Sequence, residues 1–344
     1  MRLALPSKGE LEEPTVAFLK ACGLTVQRSS SRRYTAGLKS LPEVSVLFQR
    51  AADIPAKVED GTADLGITGL DLVEEYKLDS ASTMTIMDDL GYGHCDLVVA
   101  VPEAWIDVVD MVDLAELAQE MRERGRELRV ATKYSHLTQR FLLEKGVSYF
   151  SLVGATGAME VAPAVGFADI IADLTSSGET LRENGLRPLT DGAILKSQAC
   201  LIGNRDRLAA NPQWLEPCKK ILEMMEARLR AGGYYSISAN IRGSSPDAVA
   251  RYIMDCPQVA GLEGPTVSKV YSRSLADDDW YAVTVVVRVE DLLKAVVHIR
   301  QMGGNGITVS SPNYVFNEES TAYARLVRAL EVSAMRHGAP ISKS

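Results

Sequence analysis

No stretch of this chain is apolar enough, for long enough, to cross a bilayer as a helix, which takes about 20 such residues. The N-terminus MRLALPSKGE is broken by Pro6, Lys8 and Glu10 before a signal-type apolar run can form. Cysteine is sparse: Cys22, Cys95, Cys200, Cys218 and Cys256 are scattered, odd in number and without a CxxC pair. That excludes a disulfide framework and a thiolate metal site, and points to a reducing compartment. The expectation is the cytoplasm, or a plastid for a chain that has lost a transit peptide. His94, His136, His298 and His337 are isolated, without a second His, Cys or acid at ligand spacing, and are expected to be surface or packed residues rather than ligands. A long basic tract is also missing. With a formal net charge of -8, nucleic acid and membrane are not expected partners.

What is present is an ordinary globular composition, 46% hydrophobic and 24% charged, over 344 residues. That length suggests two or three domains. No repeat or low-complexity segment interrupts it. Residues 2–7 read as a strand and 9–22 as a helix, with Val16, Leu19 and Cys22 on one stripe. VSVLFQR (44–50) reads as a buried strand. Asp53 is the expected N-cap of a helix through Glu59, ended by Gly61, and ADLGITG is the next strand. LVVAVP (97–102), LRVATKY (128–134) and ACLIGN (199–204) continue the alternation, which predicts parallel α/β sheets.

An amphipathic helix is predicted over 213–230, with Trp214, Cys218, Ile221, Met225 and Leu229 on one face. After Gly232-Gly233 the order becomes β-α-β-β-α-β, a ferredoxin-like (ACT-like) unit, followed by a C-terminal helix near 318–335. The expected organisation is therefore a two-lobed, periplasmic-binding-protein-like α/β core plus this domain. Lobe I takes 1–93 and 182–212, lobe II takes 94–181, and 213–233 link them to the domain at 234–316 and a tail at 317–344.

The most chemical segment is Asp169–Leu181. On a strand, Asp169, Ile171 and Asp173 share a face. Thr175, Ser176, Ser177, Gly178 and Thr180 then lead into a helix start, where unpaired N–H groups favour an anion. Carboxylates beside such a loop suit a phosphorylated sugar, with a carboxylate taking ribose hydroxyls or Mg²⁺. An ordinary βα turn with a Ser/Thr cap would use the same residues. Arg28, Arg32, Arg33, Lys39 and Arg50, against the single acid Glu43, make residues 26–50 locally basic. That suits a polyphosphate ligand, although a solvated basic face has the same composition.

The stretch from Glu160 through Gly166, Asp173, Ser177 and Gly178 to Leu181 resembles the signature of ATP phosphoribosyltransferases at every defined position. LALPSKG (3–9), DIPAKVEDGTADLGITGLD (53–71), LGYGHCDLVVAVP (90–102), RVATKY (129–134) and SQACLIGN (197–204) resemble further blocks of that family. GLEGPTVS (261–268) and IRQMGGNGI (299–307) resemble the regulatory domain of its long form. RGSSPDAVA with the extended tail is most similar to plant-type long forms.

The resemblance implies condensation of ATP, through adenine N1, with phosphoribosyl pyrophosphate (PRPP), the first step of histidine biosynthesis. It implies Lys8, Arg32 and Arg50 as catalytic cations, and Glu160, Asp169, Asp173, Leu174, Thr175, Ser176, Ser177, Gly178 and Thr180 around PRPP. Mg²⁺ would be held mainly by substrate phosphates, with Asp169 or Asp173. Histidine would inhibit at Leu262, Thr266 and Gly304, and the chain would form a homo-oligomer, a dimer or hexamer. Two positions depart from the family: Glu10 stands where an arginine is usual after Lys-Gly, and Asp96 where Cys-Arg-Leu is frequent. They keep two alternatives open, a catalytically weak regulatory paralogue and a two-lobed small-molecule-binding module.

Overall fold

The computed structural model describes residues 1–30, 33–77, 82–154, 159–271 and 279–337. Two compact units divide it, Met1–Cys218 with the chain from Arg325, and Lys219–Ala324. The boundary falls within the helix Leu215–Ala231, which covers most of the expected linker.

The first unit holds two sheets. Strands β1 (Arg2–Pro6), β2 (Val26–Gln27), β3 (Thr35–Leu38), β4 (Leu41–Gln49), β5 (Leu65–Gly69) and β6 (Thr83–Met87) belong to the first. β7 (Cys95–Pro102), β8 (Leu128–Thr132), β9 (Phe150–Gly154), β10 (Ile170–Thr175) and β11 (Leu186–Ser197) form the second. β12 (Ala199–Asn204) returns to the first, giving the order β2-β3-β4-β1-β5-β12-β6 there and β11-β7-β10-β8-β9 in the second. β1 runs parallel to β4 and β5, and β8 runs parallel to β9 and β10. The carboxyl ends of these strands are where an α/β sheet binds ligands.

The return to lobe I comes later than the sequence suggested. Residues 186–197 pair antiparallel with β7, so only residues from Ala199 rejoin the first sheet. The physical reason is length: this strand is 12 residues long and bulged, and it covers the β7 edge before the chain crosses. Asp53 is also not a cap. It lies in a 3-10 turn, Ala51–Asp53, with helical dihedrals and no side-chain capping bond, so Ile54–Glu59 continues from that turn.

Both faces of the second sheet are covered. Val99, Val101, Leu128, Val130 and Ile170 pack under the helix Met111–Glu123, while Val98, Ala100, Ala131 and Ile171 pack with Met159, Ala162 and Leu181 on the other face. A near-continuous apolar run in β7 is the consequence. The helix Met111–Glu123 starts at Asp110, whose carboxylate accepts from the N–H of Val112 and Asp113 while Asp113 reaches back to the Asp110 N–H.

The second unit is the expected ferredoxin-like domain. β13 (Tyr234–Arg242), β14 (Thr266–Lys269), β15 (Trp280–Arg288) and β16 (Asn305–Ser310) order as β14-β15-β13-β16. Helices Pro246–Met254 and Leu292–Gln301 bury Val249, Ile253, Ala295 and Ile299 against Ile237, Ile241, Val283 and Val285.

Replacing Asp110 by Ala removes the half of the capping box made by its carboxylate and leaves the bond from the residue 110 N–H to Asp113. It is expected to lower lobe stability by about 1 kcal/mol, read as a lower urea midpoint with an unchanged slope.

Candidate active site

The turn after β1 places the first cation. Gly9 has φ of +83°, a conformation glycine adopts without strain. The Ser7 N–H donates to the Gln49 carbonyl (2.7 Å), tying this turn to the end of β4. Lys8 and Arg50 consequently line one cavity of about 340 Å³, with Arg28, Tyr34, Phe48 and Asp53. The Arg28 charge is already matched, by Glu12 at 3.5 Å and by the Phe48 ring, 3.9 Å from ring centroid to guanidinium carbon. Lys8 and Arg50 make no ion pair among the described residues. They are the cations this cavity offers to an anion. Arg32 lies outside the described residues.

Lobe II supplies the opposite chemistry. β10 ends at Thr175, and its loop folds on its own hydroxyls: the Gly178 N–H donates to Thr175 Oγ1 (2.9 Å) and the Glu179 N–H to Ser177 Oγ (3.3 Å). Gly178 has φ of +71°, with open space where a Cβ would stand. Glycine is thus required here by backbone conformation rather than by crowding. Asp173 is half-buried at the end of β10 and accepts from the Leu174 N–H (2.9 Å). Burial pushes its carboxyl above the ordinary value; Lys133 opposes this and Glu160 adds to it. Glu160 and Lys133 both lie within electrostatic reach of Asp173. Lys133 was not singled out from the sequence. The available signal was its place one residue beyond β8, whose Thr132 is in register with Ala172.

Asp169 does not join them. It precedes β10, about 13 Å along the chain from Asp173 at the usual strand rise, and is engaged by Arg129. The guanidinium donates to both carboxylate oxygens (3.1 and 2.9 Å), and the Arg129 N–H adds a third bond (2.9 Å). Burial alone would raise the Asp169 carboxyl; the Arg129 bonds and charge outweigh it and hold it below the usual value. This carboxylate staples β10 to β8.

Both departures lie within electrostatic reach of Cys95. Burial raises that thiol to about 11, with Asp71, Glu10 and Asp96 pushing the same way. Asp96 stands across from Thr175 on β10 and from Lys196 on β11. Tyr92, in the first crossing between lobes, bonds through its hydroxyl to Thr15 Oγ1 (2.9 Å) and packs its ring on Phe18. His94 is exposed and pairs with Asp89 at 3.3 Å.

The residues expected to bind histidine are divided. Leu262 is exposed and Thr266 opens β14, while Gly304 precedes β16 and would meet Ile299 with any Cβ. β14 and β16 are opposite edges of the four-stranded sheet, about 14 Å apart at normal strand spacing.

These features define a class, a two-lobed α/β enzyme core with a C-terminal ferredoxin-like domain. The family model described as HisG, ATP phosphoribosyltransferase, matches residues 50–229, and that described as HisG, C-terminal domain, matches 231–313. The chain is 38% identical over 334 residues to ATP phosphoribosyltransferase 1, chloroplastic, of Arabidopsis thaliana, covering 96% of this chain and 81% of the relative. It is 36% identical to an ATP phosphoribosyltransferase of Bradyrhizobium diazoefficiens, covering 94% and 96%. Among solved structures it is similar to the ATP phosphoribosyl transferase (HisG:HisZ) complex from Thermotoga maritima, with 26% identity, TM-score 0.49, and 66% of this chain and 98% of that chain covered. The chain belongs to the ATP phosphoribosyltransferase family, in its long form.

Two substitutions on one strand separate structure from binding. Asp169→Asn is expected to lower Tm by about 3–8 °C and leave PRPP affinity unchanged by calorimetry. Its contribution is fully present above the unfolded carboxyl value and is lost as pH falls through the lower folded one, so wild type and Asp169→Asn converge in stability below about pH 3.8. Asp173→Asn is expected to do the reverse, keeping Tm and weakening PRPP. Gly178→Val strains the loop and is expected to weaken PRPP as well.

Proposed function

We propose that the cleft joins ATP to PRPP by aligning adenine N1 with the anomeric carbon of the ribose, and that Lys8, Arg50 and the Asp173–Thr180 loop carry the site. The reaction is the one its family performs at the first step of histidine biosynthesis. The observation that supports this assignment most is the cavity in which Lys8 and Arg50, lining it beside Asp53, form no ion pair among the described residues. N1 of neutral adenine carries no proton, so the nucleophile requires no strong base. The barrier lies in pyrophosphate departure and in positive charge growing on the sugar. Lys8 and Arg50, with Arg32 as the third family cation, stabilise the departing pyrophosphate. Asp173 and Glu160 accept from ribose hydroxyls and offset charge on the ring. Thr175, Ser176, Ser177 and Thr180, with the backbone of Leu174 and Gly178, hold the 5-phosphate.

A divalent cation fits this set. The Asp173 carboxylate is raised by burial and by Glu160, so its charge is a cost that a cation relieves. No group of three His, Cys, Asp or Glu that could hold a metal occurs among the described residues. Asp173 and Glu160 would therefore share Mg²⁺ with substrate oxygens, and the ion would neutralise pyrophosphate charge.

The second unit binds histidine as an end-product inhibitor in this reading. Thr266 opens one edge strand, with Leu262 in the loop before it, and Gly304 precedes the other edge strand. A ligand touching both sets sits between two chains, which couples inhibition to homo-oligomer assembly. None of the five cysteines is in a disulfide, which suits a reducing compartment, cytoplasm or plastid.

Purified protein given ATP, PRPP and Mg²⁺ is expected to form N1-phosphoribosyl-ATP; absence of that product overturns the assignment and favours the weak paralogue. Glu10→Arg is expected to raise kcat/KM for PRPP about threefold or more, since it reverses a charge near phosphates; a loss would place Glu10 away from them. Millimolar histidine is expected to lower the rate and change the sedimentation of the full-length chain.

A further inference from the structure

Asp71 and Glu75 lie one turn apart on the short helix Leu70–Glu75 that follows β5, and both are buried, 4% and 5% exposed. A buried carboxylate is costly unless its oxygens are bonded. No cationic side chain pairs with either among the described residues. Their partners all come from lobe II. Tyr134 Oη donates to Asp71 Oδ2 (2.7 Å), and Ser197 Oγ donates to Asp71 Oδ1 (2.6 Å) while accepting from the Asp71 N–H (2.9 Å). The N–H groups of His136 and Leu137 donate to the two Glu75 oxygens, each at 3.0 Å.

The helix that receives Glu75, Ser135–Glu144, has no side-chain cap of its own; Tyr134 occupies the N-cap position without a capping bond. Lobe I thus provides the cap that this lobe II helix lacks, where a carboxylate is favoured by the helix dipole. Lys133 stands two residues before this helix, one position past the Thr132–Ala172 pair and within electrostatic reach of Asp173, as is the Tyr134 phenol. Gly69 completes the junction, since a Cβ there would collide with Asp71 Oδ1.

We propose that Asp71 and Glu75 form an interlobe latch, gripping Tyr134, Ser197 and the start of Ser135–Glu144, and that this latch sets the position of Lys133 and Asp173 relative to Lys8 and Arg50. These are positioning residues that act through lobe II groups. The inference rests on the proposed active site, because it states what holds that site's two halves in register. An alignment role has a kinetic signature: contacts made within one lobe, such as those of the ribose 5-phosphate with the Asp173–Thr180 loop, survive and hold most of the ground-state affinity, while the charge growing on the departing pyrophosphate is met only with both lobes in register.

The variants are Asp71→Asn, Glu75→Gln, Tyr134→Phe and the double variant Asp71→Asn/Tyr134→Phe, in the full-length chain. Turnover is measured with ATP, PRPP and Mg²⁺, alongside Tm and amide hydrogen exchange. Expected results are a fall in kcat of about tenfold or more, KM values within about twofold, and a double variant no worse than the poorer single. Exchange at His136 and Leu137 is expected to quicken together with exchange at Leu174–Gly178. A tenfold KM rise with unchanged kcat would mean direct substrate contact and overturn the proposal. So would additive losses, or a kcat loss recovered by cooling below each variant's shifted Tm, which is a purely structural effect. The exchange measurement needs no activity. If wild type makes no product, the active-site reading fails, and the latch still stands or falls on whether loop exchange responds.

Discussion

One junction governs this enzyme core, the buried contact in which lobe I carboxylates accept hydrogen bonds from lobe II. Two crossings connect the lobes covalently, at residues 88–94 and at Gln198, and neither is long. Strand crossings alone leave rotation about them open. Asp71 and Glu75 remove that freedom with directional bonds in a dry place, where each oxygen must find a donor. In the proposed latch, the cations at the end of β1 and β4 and the Asp173 carboxylate at the end of β10, beside Lys133 at the end of β8, inherit their separation from this contact. The chemistry requires such an arrangement, because a polyphosphate and a developing sugar cation place opposite charges a few ångströms apart.

The two aspartates flanking β10 show how environment assigns roles to identical side chains. Asp169 meets Arg129 with three hydrogen bonds, and its charge is satisfied inside the protein. Asp173 has one backbone N–H, a nearby lysine and a nearby glutamate, and burial raises its carboxyl. A satisfied charge stabilises the fold. An unsatisfied one, at the carboxyl end of a strand, remains available to a ligand.

The alternation of apolar runs made the two-sheet core and the ferredoxin-like unit legible in the sequence, because those runs are set by burial on sheet faces. The Asp173–Thr180 loop was legible for a related reason: small hydroxyl residues and a positive-φ glycine form a compact turn at a strand's end whatever surrounds them. Long-range pairing was less visible. The Leu186–Ser197 strand carries exposed polar residues along an edge, so its membership of the second sheet depends on β7, some 90 residues earlier in the chain. Asp169 shares a strand face with Asp173 by periodicity, and periodicity says nothing about a partner such as Arg129. Lys133, Asp71 and Glu75 were missed because their significance lies in neighbours 40 to 126 residues away, as with Asp71 and Ser197.

The same dependence on neighbours changes the meaning of the Asp96 departure. Read along the chain, an acid in place of an arginine opposes a phosphate site. Across the sheet, Asp96 is in register with Lys196 on one side and with the neutral Thr175 on the other. Directly opposed cross-strand residues have Cβ atoms about 5 Å apart, close enough for Lys196 to offset the charge that Asp96 presents to the loop. The position has changed sign while the local sum changes less, and the cavity cations Lys8 and Arg50 have no ion-pair partner among the described residues. Glu10 has no such neighbour in the strand register, since it lies in the turn beyond β1. Any loss of catalytic power in this chain relative to its family should therefore originate at Glu10 rather than at Asp96.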